Sequence, residues 1–194
     1  MTENSQEQTS GGSVPYIFNR DFNSSIRLNY NHWLVTEACG YRLHPKINLP
    51  KENLRIADVG TGTGIWLLEL SDTCPTTAQL DGFDISPAQF PPKEWLPENV
   101  NLFIQDIFKP FPQEMIGTYD MVNLRFALCY VNDEDAEPLL ANLISLLKPN
   151  GFLQWFETNA YKTKVYQPSG SPPAIGMAQL EKMWHKPKPT SSYK

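Results

Sequence analysis

The sequence predicts an α/β protein built on a doubly wound, mostly parallel sheet. Two observations carry this. Short apolar runs that read as buried strands alternate with helices or long crossovers from Leu54 onward, the pattern that yields parallel pairing. Three of those runs end on an acid, at Asp58, Asp84 and Asp106, and the first leads straight into a glycine-rich turn.

The elements follow in order. Residues 1–13 are rich in Ser, Thr, Gln and Gly and are expected to be disordered. Residues 14–53 form a helical segment, with one helix over Ser24–Ala38 stopped by Gly40 as a C-cap. A connector with Pro45 and Pro50 leads to the first strand, Leu54–Val59. The glycine turn and a short apolar helix, Ile65–Leu70, come next. Gln79–Phe83 is the second strand. The prolines of Ser86–Pro97 keep any helix there short. Val100–Gln105 and Tyr119–Leu124 are strands three and four. A helix over Asp135–Leu147 places Leu139, Leu140, Leu143, Leu146 and Leu147 on one face. The acids Asp133, Glu134, Asp135 and Glu137 sit at its positive end. Gly151–Glu157 is strand five, with Trp155 opposite in direction to Gln154 and Phe156. The implied strand order is 3-2-1-4-5. Residues 167–173 are a loop, Ala174–Trp184 a last helix within a 54–184 domain, and 185–194 a tail. The whole is a Rossmann-like arrangement.

Composition narrows the functions. The chain has 194 residues, 41% of them hydrophobic, enough for one domain with a core. Its net charge of −5, without a basic run, argues against a nucleic-acid partner. No apolar stretch is long enough to span a bilayer, and the first residues lack a secretory h-region, so a cytoplasmic protein is expected, with the nucleus as a second compartment. Cys39, Cys74 and Cys129 read as reduced thiols. His32, His44 and His185 have no metal-ligand spacing. His32 reads as a helix-surface or capping residue, His44 as structural, and His185 as solvated. Trp33 and Trp66 read as core or ligand-packing residues.

The chemistry concentrates in Asp58-Val-Gly60-Thr-Gly62-Thr-Gly64-Ile-Trp66. Glycines between a strand and a helix let a ligand approach the backbone. A dinucleotide fingerprint would place its third glycine at Ile65, and the Asp58 carboxylate beside the turn disfavours a pyrophosphate. S-adenosylmethionine, with an ammonium, a sulfonium and no phosphate, fits both facts. Asp84 can accept the ribose hydroxyls, and Asp106 the exocyclic amine of adenine.

These residues resemble the class I S-adenosylmethionine-dependent methyltransferases, in particular the small-molecule methyltransferases of fungal secondary-metabolite clusters. The resemblance runs from about Tyr16 to Glu157. Its pieces include Arg20-Asp21, Arg27-Leu28-Asn29 with His32, Leu43-His44-Pro45, the glycine turn, and Gly82-Phe-Asp-Ile-Ser86. Pro97-Glu-Asn-Val100, Asn123-Leu-Arg125, Leu147-Lys-Pro-Asn-Gly151 and Gln154-Trp155 complete it. More distantly, the chain resembles fungal regulators of secondary metabolism that share this fold. The resemblance implies a cofactor-contacting set of Asp58, Gly60, Gly62, Gly64, Asp84, Asp106, Ile107, Asn123 and Arg125. It also implies that the helix bearing Arg27, Tyr30 and His32 covers the cofactor. The family's usual His is replaced by Asn123, which removes a proton acceptor, and its usual Gly by Asn150. Complete members carry two further strands, so the chain reads as C-terminally short, with strand five an exposed edge.

The expected function is methyl transfer from S-adenosylmethionine to O or N of a small secondary metabolite. No catalytic residue and no metal are assigned. The alternatives are a non-catalytic cofactor-binding chain that pairs with a second copy or another methyltransferase-like chain, and a non-methylating enzyme on the same fold.

Overall fold

The computed structural model describes residue 16, residues 18–158 and residues 168–184. The expectations for 1–13, 185–194 and His185 lie outside the described residues. One compact unit runs to Phe156 and a second begins at Glu157. Helix α4 (Ile175–Trp184) belongs to the second.

The first unit is a five-stranded sheet in the order β3-β2-β1-β4-β5, every pair parallel. The strands are β1 (Arg55–Val59), β2 (Gln79–Asp84), β3 (Val100–Ile104), β4 (Tyr119–Arg125) and β5 (Leu147–Phe156). β1 and β4 are neighbours because the chain winds first one way from β1 and then the other, which opens a crevice at their carboxyl ends. The prolines of 86–97 permit only two 3-10 turns, at Pro87–Gln89 and Lys93–Trp95.

Helix α2 (Ile65–Ser71) covers one sheet face. Trp66, Leu67 and Leu70 pack there on Ile56, Leu80 and Met121. Helix α3 (Asp133–Ser145) covers the other, with Leu139 and Leu143 against Ala57, Val59 and Val122. Burying each of those leucines contributes about 1.5–3 kcal/mol. α3 differs from the expected helix at both ends. Asn132 is its N-cap, so the helix starts at Asp133, two residues earlier than expected, and Leu146 ends it. Leu147 already pairs with Tyr119 in β5, and the register shifts between Tyr119 and Met121. Lys148–Gly151 is thus an irregularity inside a strand, with Asn150 at φ 66, a conformation Asn tolerates. Leu140 is exposed rather than on the buried face. The period-two expectation for β5 holds. Phe152 packs with the α2 face, whereas Leu153 and Trp155 pack with the α3 face.

Helix α1 (Phe22–Cys39) starts at an Asp21 N-cap and stops at Gly40, whose φ of 75 is left-handed. Its polarity is inverted. The residues it buries are Ser24 and His32, while Phe22, Ile26, Tyr30, Trp33 and Leu34 face outward. Trp33 is therefore not a core residue, although Trp66 is.

One glycine within a strand shapes this region. A Cβ on Gly82 would lie 2.6 Å from Leu102, 2.9 Å from the Thr61 hydroxyl and 3.0 Å from Leu67. The bare backbone of β2 lets the glycine turn, α2 and β3 converge there.

Candidate functional site

The turn from β1 to α2 is held by the carbonyl of Phe83, which accepts the N–H groups of Gly60 and Thr61 at 2.8 and 2.9 Å. Gly60, Gly62 and Gly64 have φ of 70, 58 and 74, which a side chain would strain. Space is tight at two of them as well: a Cβ on Gly60 would meet the Tyr130 hydroxyl at 2.9 Å, and one on Gly62 would meet the tip of Leu28 at 2.9 Å.

Asp84, at the end of β2, accepts the Gly62 N–H at 2.9 Å and the Ser86 N–H at 3.2 Å. Burial pushes its carboxyl up from the usual range, against the pull of those N–H donors. Asp106, just past β3, accepts the Phe108 N–H at 3.0 Å and has Lys109 Nζ at 3.7 Å.

A single cleft gathers much of the expected set. Gly60, Gly62, Asp84, Asp106, Ile107 and Arg125 line it. Asp58, Gly64 and Asn123 are not among its lining residues. Gly64 instead is the left-handed N-cap of α2. Asp58 is buried and committed to its neighbours: it accepts the Thr61 hydroxyl at 2.8 Å and the Asn123 amide at 2.8 Å. Burial raises its carboxyl too, outweighing nearby Arg125 and these hydrogen bonds. Asn123 in turn accepts from Gln154 at 2.9 Å, and Gln154 binds the Arg42 carbonyl and the His44 N–H. An imidazole here could not both donate to Asp58 and accept from Gln154 without fixing its tautomer; the amide does so at any pH. The residue is a bridge, and its buried amide is not a base.

α1 forms a wall of the cleft through Arg27, Leu28 and Asn31, and Asn29 accepts the Thr63 hydroxyl at 2.6 Å. Tyr30, on the same helix, is exposed. His32, expected at the surface, is 1% exposed, with Arg125 Nη1 2.9 Å from its Nδ1. The sequence reading also missed Tyr16, Arg20, Phe126, Cys129 and Tyr130, all on the cleft wall. Tyr16 and Arg20 opened the family resemblance, a usable signal. The 126–130 segment follows strand four with no motif of its own. Phe126 is left-handed at φ 58, an uncommon state for an aromatic residue, and its N–H is held by Phe156. Cys39 and Cys74 are free thiols, and the Cys129 thiol donates to the Phe126 carbonyl at 3.3 Å. No group of residues suited to a metal ion occurs among the described residues, and none of the described helices is long and apolar enough to cross a membrane.

Residues 56–151 match a family model described as a methyltransferase domain. The chain is 42% identical over 135 residues to the N-methyltransferase tcpN of Claviceps purpurea, covering 69% of this chain and 48% of that one. It is 35% identical over 142 residues to the N-methyltransferase sirN of Leptosphaeria maculans, covering 73% and 49%. The chain thus spans about half the length of the curated relatives it matches. The solved DhpI–SAH complex superposes with a TM-score of 0.51 at 18% identity, covering 70% of this chain and 64% of that one, a likeness of fold.

Proposed function

Residues 56–151 make this chain a member of the methyltransferase-domain family, and on that premise we propose that its cleft binds S-adenosylmethionine for methyl transfer to a nitrogen of a small metabolite. The observation that carries the reading is the pairing of Asp84 with Gly62 on the cleft wall. The Gly62 N–H, which a phosphate-binding turn would offer to its ligand, is engaged by a carboxylate that repels phosphate. Asp84 and Asp106 offer acceptors for ribose hydroxyls and an adenine amine. Arg125 offers a donor to an amino-acid carboxylate, and Gly60 and Gly62 line the cleft with backbone alone. When bound, S-adenosylmethionine supplies a methyl made electrophilic by its sulfonium. The protein's part is to fix the two reactants and exclude water, worth up to about 7–11 kcal/mol when alignment is good.

Nitrogen is favoured over oxygen because the relatives tcpN and sirN are named N-methyltransferases. An amine nitrogen attacks with its own lone pair and releases its proton to water afterwards.

Calorimetry with S-adenosylhomocysteine and with NAD tests the cofactor. Saturable binding of the first and none of the second is expected; the reverse would overturn the reading. A mass shift on amine-bearing metabolites, compared with their hydroxyl analogues, tests the acceptor atom.

A further inference from the structure

His32 lies where three parts of the fold meet: its own helix α1, the end of β4 through Arg125, and α2 through Glu69. A guanidinium only donates hydrogen bonds. With Arg125 Nη1 at 2.9 Å, the His32 Nδ1 must therefore present its lone pair, and the ring proton must sit on Nε2. That nitrogen is 3.1 Å from Glu69 Oε2, an ion-pair distance without hydrogen-bond alignment. Glu69 is held in turn by Arg42 Nε and the Trp33 indole N–H, each at 2.7 Å. The ring is neutral in this arrangement. A second ring proton would point at a cation.

Arg125 depends on this contact. Its Nε is buried without a hydrogen-bond partner, and the hydrogen bond the structure gives its guanidinium is the one to His32. The same side chain lines the cofactor cleft and a neighbouring cavity of about 320 Å³ bounded by Thr36, Tyr41, Trp66, Gln154 and Phe156.

We propose that His32 is a positioning residue that, as a neutral imidazole, holds Arg125 at the cleft wall and latches α1 onto the body, so that acid releases both. The charged and titratable groups facing it are Arg125 from β4, Glu69 from α2, Arg42 from the connector and Asp58 from β1. Burial holds its pKa below the ordinary 6.5, and Arg125 adds to that, against Glu69 and Asp58. A folded-state pKa below the unfolded value means that the latch is fully present above pH 6.5 and is lost as pH falls through the folded-state pKa.

The role of Arg125 rests on the reading that this cleft binds S-adenosylmethionine, and the experiment separates the two. The affinity for S-adenosylhomocysteine is measured from pH 8 to pH 5.5 for the wild type, H32Q and H32L. The Gln amide keeps one acceptor and one donor but does not titrate. Wild-type affinity should fall by up to about tenfold per pH unit below the His32 pKa. H32Q should keep affinity near neutral pH and lose that fall, and H32L should bind weakly throughout. If H32Q falls with acid as the wild type does, or H32L binds like the wild type, the proposal is overturned. Absence of wild-type binding at pH 8 would refute the cofactor reading instead. The latch is then still decided by nitrogen-15 NMR of the wild type: an Nδ1–H tautomer or a charged ring at pH 7.5 overturns it, and a neutral Nε2–H ring supports it.

Discussion

Asp84 accepts the backbone N–H of Gly62 at 2.9 Å, although the two belong to different strand-to-loop junctions. The carboxylate at the end of β2 thereby fixes the middle glycine of the β1–α2 turn. Its second oxygen, on Ser86, keeps the side chain aimed along the cleft. An acid that the sequence marks as a ligand group is also a strut of the loop it faces.

Replacing Asp84 by Ala should therefore do two things. Binding of S-adenosylhomocysteine should weaken by about 1.5–3 kcal/mol, the range for a lost hydrogen bond to a charged group. Stability should drop as well, by about 1 kcal/mol, because two backbone donors lose their acceptor. Calorimetry and urea unfolding measure the two effects, and unchanged affinity would remove Asp84 from the binding site.

Gly62→Val should abolish cofactor binding and leave a folded protein. The φ of 58 makes a β-branched residue strained, and its side chain would push into Leu28 on α1. A native-like circular dichroism spectrum with no calorimetric heat is the expected pair of results. Global unfolding would mean that the turn is needed to fold at all.

Asp81 is fully buried and accepts from Tyr119 at 2.8 Å, Gln79 at 2.9 Å, Asn101 at 3.2 Å and Arg55 at 3.3 Å. Asp81→Ala would leave the Arg55 charge and three donors without an acceptor. A loss of about 3–5 kcal/mol is expected by analogy with broken buried ion pairs. Urea midpoints for the wild type and the variant test it.

Glu69 gives the acid side of the stability profile. Burial pushes its carboxyl up, but the close contact with His32 and the hydrogen bonds from Arg42 and Trp33 outweigh this and hold it at about 2. Because the folded-state pKa is depressed, its contribution is complete above the ordinary 4.5 and is lost as pH falls toward about 2. Glu69→Gln should flatten the dependence of stability on pH across that window. Identical slopes in the two proteins would show that Glu69 is not the group responsible.

The sheet was legible because burial on both faces makes parallel strands into apolar runs, and glycine or proline marks their ends. Asp84 and Asp106 were legible because a strand's carboxyl end is a fixed address in such a sheet. His32 was not. Periodicity finds the apolar face of a helix and assigns it inward, but α1 turns Phe22, Ile26, Tyr30 and Leu34 outward and meets the body with polar groups. Asp58 was legible in position and not in its partners. Its place beside the turn is right, but nothing local shows that Asn123, 65 residues later, takes up its carboxylate. The start of β5 was hidden by Lys148-Pro-Asn-Gly151, which reads as a turn and lies within a strand.

Gly82 sets the terms on which this site could be moved or redesigned. It touches no ligand by any account given above, and a mutational scan confined to the cleft would pass over it. Yet the glycine turn rests against its bare backbone, with Thr61, Leu67 and Leu102 filling the space of the absent side chain. A graft of residues 58–64 into another parallel sheet would carry the turn without its seat. The smallest transferable module spans both strands and their crossover, and a recipient with alanine at the position of Gly82 should reject it.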